Sequence, residues 1–300
     1  MSEPDFSQLL SKYDRRDMAG FTRKFVDDLG VAISTEMGIA EDCDWSGVIC
    51  LGMGGSAAGG LFLKAISDET GGLPFVVWRD YGLPSWWGPE WLVLATSYSG
   101  GTEETLDAVK EAISGGGTIV GICSGGELGE IIAESEESVC LNVPSGQMPR
   151  SAFGHIFGTQ LSACWSLGLL PEPSEEEITK MLQRLSTVSS DADLSGNSGM
   201  AATLSRSLVG KELGIVSPTC LGPAAYRFSC QLNENSAKFA RASEVPEMNH
   251  NEIVAWTGKA SENSALLLLS CEGLHPRTDS RIEWMLDEVE ATPTWVIECE

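Results

Sequence analysis

The residues with the clearest chemical potential run from Thr96 to Thr105, as Thr96–Ser97–Tyr98–Ser99–Gly100–Gly101–Thr102–Glu103–Glu104–Thr105. Ser97, Ser99 and Thr102 offer hydroxyls, and Gly100 and Gly101 let the backbone approach a ligand closely. An apolar run, Trp91 to Ala95, comes before and reads as a buried strand. Thr105 to Lys110 reads as the opening of a helix. A strand, a hydroxyl-rich turn and a helix N-terminus together suit an anion, because unpaired backbone N–H groups and the positive end of the helix dipole face the turn. The turn has no Lys, so a phosphate there would be held by dipoles and hydroxyls.

The same plan occurs earlier. Gly47 to Leu51 reads as a strand, Gly52 to Gly60 as a glycine loop containing Gly54, Gly55 and Ser56, and Leu61 to Ile66 as a helix. Gly52-x-Gly54-x-x-Ala57 also fits a dinucleotide fingerprint, and Asp80 follows the next strand at about the spacing of a ribose-binding acid. An NAD-dependent dehydrogenase is therefore a competing reading, but it leaves the serine-rich turn unexplained.

Three further residues carry acid–base potential. Glu234, between Asn233 and Asn235 on a helix expected over 224–238, is a candidate general base. Arg150 follows Pro149 at the start of a helix expected to run to Leu169, where a guanidinium can stabilise a developing oxyanion. His250, between Asn249 and Asn251, is a candidate proton shuttle. Taken singly, each is better explained as a surface or turn residue. His155 reads as a packed helix residue and His275 as a loop residue. Three histidines in the whole chain give no basis for a His-rich metal centre.

Strands alternating with helices position these groups, which implies a parallel, doubly wound sheet with loops at the strand C-terminal ends sharing a crevice. Residues 1–40 read as helical, with Phe21, Phe25 and Leu29 as a packing stripe. Residues 41–145 form a first α/β domain, and 146–198 a helical connection in which an acid-rich helix starts after Ser174. Residues 199–300 form a second α/β domain on a similar plan. Its strands are Leu213–Ser217, Leu266–Leu269 and Thr294–Ile297.

Bulk properties narrow the partners. Asp and Glu number 43 against 19 Lys and Arg, giving a net charge of −24. That disfavours nucleic acid or an anionic membrane as partner and reads as a solvated acidic surface. No apolar run is long enough to span a bilayer, and Met1–Asp5 has no secretory character. Nine scattered cysteines without a CxxC pair read as buried thiols of a cytoplasmic protein.

Five segments then identify a resemblance. They are Gly52 to Ala57, Ser97 to Thr105, Pro149 to Gly154, Gln231 to Asn235 and Pro246 to Val254. In this order they resemble the bifunctional phosphoglucose/phosphomannose isomerases of the sugar isomerase (SIS) domain superfamily, over about residues 45 to 256. The resemblance implies two SIS domains, each a flavodoxin-like three-layer sandwich, a homodimer, and no metal or nucleotide cofactor. It implies that Gly54, Gly55 and Ser56 line a sugar-phosphate crevice and that Ser97, Ser99 and Thr102 bind the phosphate. Glu234 would move the proton between C1 and C2, Arg150 would stabilise the cis-enediolate, and His250, supplied by the neighbouring subunit, would assist ring opening. Glucose 6-phosphate, with mannose 6-phosphate beside it, would interconvert with fructose 6-phosphate. A non-catalytic sugar-phosphate-binding protein is the other reading within the superfamily. Two departures are visible: Gly101 stands where the family usually has Asn, and the chain ends at Glu300, before the segment in which the family carries a Thr and a Lys near the site.

Overall fold

The computed structural model describes residues 5–35, 44–194, 197–289 and 293–299. The chain divides into two units, Met1–Gly199 and Met200–Glu300.

The first unit is built on five parallel strands: β1 (Gly47–Leu51), β2 (Phe75–Trp78), β3 (Trp91–Thr96), β4 (Ile119–Cys123) and β5 (Val139–Asn142), in the order β2-β1-β3-β4-β5. Val48 lies opposite Phe75 on one side and Leu92 on the other. The central strands are apolar throughout because both faces are covered. Val48, Cys50, Leu92 and Leu94 join one core with residues of α3 (Phe25–Ile33), α4 (Gly54–Thr70) and α7 (Phe153–Ser166). Ile49, Leu51, Val93 and Ala95 join a second core with α5 (Glu103–Ser114) and α6 (Glu127–Ala133). Alternate residues of each strand thus serve opposite faces, the three-layer arrangement expected of this fold class. Helices α1 (Phe6–Tyr13), α2 (Met18–Arg23) and α8 (Glu175–Asp191) complete the unit. A reciprocal cap opens α8: Ser174 Oγ accepts from the Glu177 N–H, and the Ser174 N–H donates to Glu177 Oε2. Such a cap contributes about 1 kcal/mol.

The stripe of Phe21, Phe25 and Leu29 does not lie on one helix. The chain breaks at Lys24 between α2 and α3. Phe25 stacks on Phe153 at 6.1 Å, and α3 comes close to α7 because Gly154 and Gly158 present no side chain. A Cβ on Gly158 would meet the Ala32 Cβ at 2.6 Å. Helix α7 is part of the first core, with Ile156, Leu161 and Ala163 buried there.

The second unit has α9 (Met200–Leu208), β6 (Glu212–Pro218), α10 (Gly222–Ser236), β7 (Ala240–Val245), α11 (Ile253–Trp256), β8 (Ser264–Cys271), α12 (Pro276–Glu288) and β9 (Thr294–Cys299). Its parallel sheet is ordered β7-β6-β8-β9. Ile215, Leu267 and Leu269 pack with Leu204 of α9 and Ala225 of α10. Val216, Leu266 and Leu268 pack on the other face with Trp256, Ile282 and Met285. Strand β7 escapes a reading by apolar runs. It is an edge strand, and of Ala-Arg-Ala-Ser-Glu-Val only Val245 is fully buried.

Among the described residues no helix is long and apolar enough to cross a membrane. The described cysteines are all free, and Cys50, Cys123 and Cys164 are buried; Cys43 lies outside the described residues.

Candidate active site

The serine-rich turn leaves β3 at Thr96 and enters α5 at Glu103. Ser97 is fully buried, and its Oγ lies 2.8 Å from Thr102 Oγ1. It also accepts the Thr102 N–H at 3.3 Å, which closes the turn on itself. The mutual bond between the two hydroxyls uses one of their two hydrogens and leaves the other to donate to a ligand. Ser99 is exposed at the tip, its Oγ accepting the Gly101 N–H at 3.3 Å. Thr102 makes no side-chain cap to α5, so the first N–H groups of that helix keep their free direction. Glu103 and Glu104 stand in the same first turn and offset part of the dipole.

Gly100 is required by its surroundings. Its φ is +69°, and a Cβ would fall 1.7 Å from the Gly125 carbonyl oxygen. The Gly100 carbonyl takes the Leu128 N–H at 2.8 Å, so the turn is locked to the start of α6. Gly101 has no such constraint: nothing lies within 4 Å of the place its Cβ would occupy.

The glycine segment after β1 differs from a flexible loop. Helix α4 already begins at Gly54, so Gly55 to Gly60 are helical rather than loop residues. Their lack of side chains serves close packing. A Cβ on Gly59 would strike Gln160 Oε1 at 1.7 Å, and one on Gly60 would meet the Cys50 Cβ at 2.7 Å. No acid stands in the first turn of α4, so its dipole is not offset there. Ser56, buried near this end, accepts the Tyr98 N–H at 3.4 Å and joins the two turns.

Arg150 comes to the same rim. A Cβ on Gly55 would lie 3.4 Å from Arg150 Cα and from the Pro149 carbonyl. Arg150 does not open α7 as the position of Pro149 suggests: α7 starts at Phe153, and 149–152 form a turn in which Ser151 Oγ donates to the Met148 carbonyl at 2.9 Å. Glycine at 55 is what lets this turn lie against α4. Gly54, Gly55, Ser56, Ser97, Ser99, Thr102 and Arg150 are thus gathered at the C-terminal end of one sheet.

Several positioning residues were not legible as such in the sequence. Tyr98 donates its hydroxyl hydrogen to the Pro144 carbonyl at 2.9 Å and accepts the Gln147 N–H at 3.0 Å, tying the serine-rich turn to the segment before Arg150. Ser124 donates both its N–H and its hydroxyl to the Tyr98 carbonyl. Asp28 of α3 accepts from Gln147 Nε2 at 2.9 Å and lies 3.3 Å from His155 Nε2, so His155 is the packed helix residue expected. Gln160 donates to Thr96 Oγ1 at 2.9 Å beneath the turn. These partners come from segments far apart in the chain, and no local spacing announces them.

Glu234 and His250 both belong to the second unit. Glu234 is exposed on the last turn of α10. Its neighbour Asn233 accepts the Ala240 N–H at 2.7 Å and so pins the end of α10 to the start of β7. Burial pushes the Arg227 guanidinium of the same helix down to about 10, with Cys230 and then Glu234 pulling it back up. His250 ends a short 3-10 turn, Glu247–His250, that follows β7, and it is exposed. One chain therefore places Glu234 and His250 at opposite ends of β7. Among the described residues no group of three or more His, Cys, Asp or Glu is placed to hold a metal ion.

Comparison with known proteins follows the two units. Residues 44–170 match the family model for the SIS domain, and residues 197–300 match the model described as the bacterial phospho-glucose isomerase C-terminal SIS domain. The chain is 36% identical over 247 residues to a bifunctional phosphoglucose/phosphomannose isomerase from Caldicellulosiruptor bescii, covering 81% of this chain and 70% of that one. It is 30% identical over 232 residues to a D-glucosamine-6-phosphate 4-epimerase from Sulfolobus acidocaldarius, covering 77% and 71%. In fold it resembles the C-terminal domain of a glucosamine-fructose-6-phosphate aminotransferase from Francisella tularensis, with a TM-score of 0.69 and 15% identity over 95% of this chain and 89% of that one.

Proposed function

The chain belongs to the bifunctional phosphoglucose/phosphomannose isomerase family, and from that premise we propose that it interconverts glucose 6-phosphate with fructose 6-phosphate, with mannose 6-phosphate as a second aldose. The observation that carries the reading is the joining, at one sheet end, of a hydroxyl- and dipole-lined anion turn with a guanidinium. Family membership sets the dehydrogenase reading aside.

In this proposal the phosphate rests in the turn, against Ser97, Ser99 and Thr102 and the N-terminus of α4. Held there, the sugar presents C1 and C2 to the acid–base groups at no further cost in translational entropy. His250 gives a proton to the ring oxygen as the ring opens and the C1 hydroxyl gives up its own. Glu234 then removes the C2 proton, Arg150 stabilises the resulting cis-enediolate, a proton passes from the O2 hydroxyl to O1, and Glu234 returns its proton to C1 to give the ketose. The position of His250 at the far end of β7 from Glu234 supports a homodimer in which a second copy supplies the histidine.

The test is coupled turnover of fructose 6-phosphate by the native protein and by Glu234→Gln. The expected loss in the variant is about 10²–10⁴-fold in kcat. Equal rates would remove Glu234 from the mechanism. Calorimetric binding of fructose 6-phosphate without turnover in the native protein would favour a non-catalytic sugar-phosphate-binding protein. The epimerase relative makes glucosamine 6-phosphate the first alternative substrate to assay, by following inversion at C4.

A further inference from the structure

A cavity of about 480 Å³ opens in the second unit at the N-terminal ends of its strands, the end of β7 near which Glu234 lies and opposite the end that leads to His250. Its lining includes Lys211 and Glu212 at the start of β6, Lys238, Phe239 and Arg241 at the start of β7, and Trp256. The charge there runs against the rest of the chain. Residues 200–300 hold eight Lys and Arg against fourteen Asp and Glu, yet three of the eight line this one cavity, with Glu212 beside them and Glu252 paired to Arg241. With Arg241 so paired, Lys211 and Lys238 against Glu212 leave a local positive excess that a bound anion offsets.

The floor is fixed. Trp256 is 1% exposed and lies against Gly214, where a Cβ would come within 2.2 Å of the indole. Glu252 accepts the Trp256 Nε1–H at 2.8 Å and pairs with Arg241 Nε at 3.3 Å, while the Arg241 guanidinium stands 5.2 Å from the centre of the indole. Arg241 is therefore held by a carboxylate and a ring face before any ligand arrives. Lys211 is less committed, its Nζ reaching the Glu262 carbonyl at 3.4 Å. At the mouth, Phe239 is 97% exposed, an apolar ring presented next to Lys238. The cavity draws its lining from both faces of the sheet, Leu213 from the side covered by α10 and Trp256 from the other, and it includes Ala240, whose N–H is accepted by Asn233, the neighbour of Glu234.

We infer that this cavity is a second ligand site, for a small organic phosphate bearing a flat ring, the chemistry of a nucleoside monophosphate. Its size falls within the range of small-molecule sites. The phosphate sits between Lys211 and Lys238, and the ring stacks on Phe239, a contact that tolerates any base because every base has a flat face. The lining comes from the second unit alone, and the inference does not depend on the isomerase reading.

The experiment is isothermal titration of the whole protein with AMP, in the presence of saturating fructose 6-phosphate, with inorganic phosphate titrated in parallel. The expected result is one AMP per chain. Lys238→Glu should weaken AMP at least ten-fold, and Phe239→Ala should weaken AMP while leaving inorganic phosphate unchanged. Both side chains are exposed, and an unchanged thermal midpoint in the absence of ligand verifies that the variants fold. Failure of AMP to bind, displacement of AMP by fructose 6-phosphate, or equal affinity in native and variant proteins would each overturn the assignment.

Discussion

Glu234 and His250 are separated by the length of β7: Asn233, next to Glu234, holds the N–H of Ala240 at the strand's first residue, and His250 closes the turn beyond its last, Val245. Six residues of strand span roughly 17 Å. In the proposed mechanism the histidine of a second copy bridges that separation.

Subunit mixing tests this. Glu234→Gln and His250→Ala should each be nearly inactive alone. Co-expressed, they should form mixed dimers in which one of two sites is intact, restoring about a quarter of native activity. A mixture as inactive as its components would place both residues in one chain's site or remove one of them from catalysis.

The phosphate turn and Arg150 should separate kinetically. Ser97→Ala removes the hydroxyl that closes the turn and that, in the proposed mechanism, binds the phosphate. Hydrogen bonds to charged groups contribute about 1.5–3 kcal/mol, so KM for fructose 6-phosphate should rise about ten-fold or more. Arg150→Gln should instead lower kcat, by about 10²–10³-fold, because its contribution grows as the enediolate charge develops. Initial rates over a range of substrate concentration distinguish the two patterns.

Two adjacent glycines should respond in opposite ways. Gly100→Ala forces a side chain into a left-handed backbone and onto the Gly125 carbonyl. A loss of about 3 kcal/mol in urea unfolding is expected. Gly101→Asn meets open space and should change stability by less than about 0.5 kcal/mol.

Alkaline pH should weaken the first unit through a buried thiol. Burial pushes the Cys50 thiol up to about 12 from an ordinary value of 9.0. Between those values the unfolded chain loses the proton while the folded chain keeps it. Stability is therefore complete below pH 9 and falls as pH rises, by about 1.4 kcal/mol per pH unit for this group. Urea unfolding at pH 7, 9, 10 and 11 should show a shallower decline in Cys50→Ala than in the native protein. Parallel declines would exclude Cys50 as a source.

By itself, the sequence determined the fold class, most strands and the chemical types at the site. Fully covered parallel strands must be apolar along their whole length, as in Val48-Ile49-Cys50-Leu51, and such runs are visible without coordinates. The turns that follow them carry their chemistry in a few adjacent residues, so Ser97, Ser99, Thr102 and Ser56 could be named from local order. Edge strand β7 could not be read this way, since half of its surface faces solvent and its residues are mixed. The start of α4 at Gly54 was also hidden, because glycine written for close packing against Gln160 and Cys50 looks like glycine written for a loop. Only the tertiary structure decided that Arg150 lies in a turn beside Gly55, that Tyr98 and Asp28 hold that turn in place, and that Glu234 and His250 occupy opposite ends of one strand. The physical reason is distance along the chain. Periodicity and turn chemistry report what neighbours in sequence do, whereas a site is made of partners brought together by sheet order and helix packing.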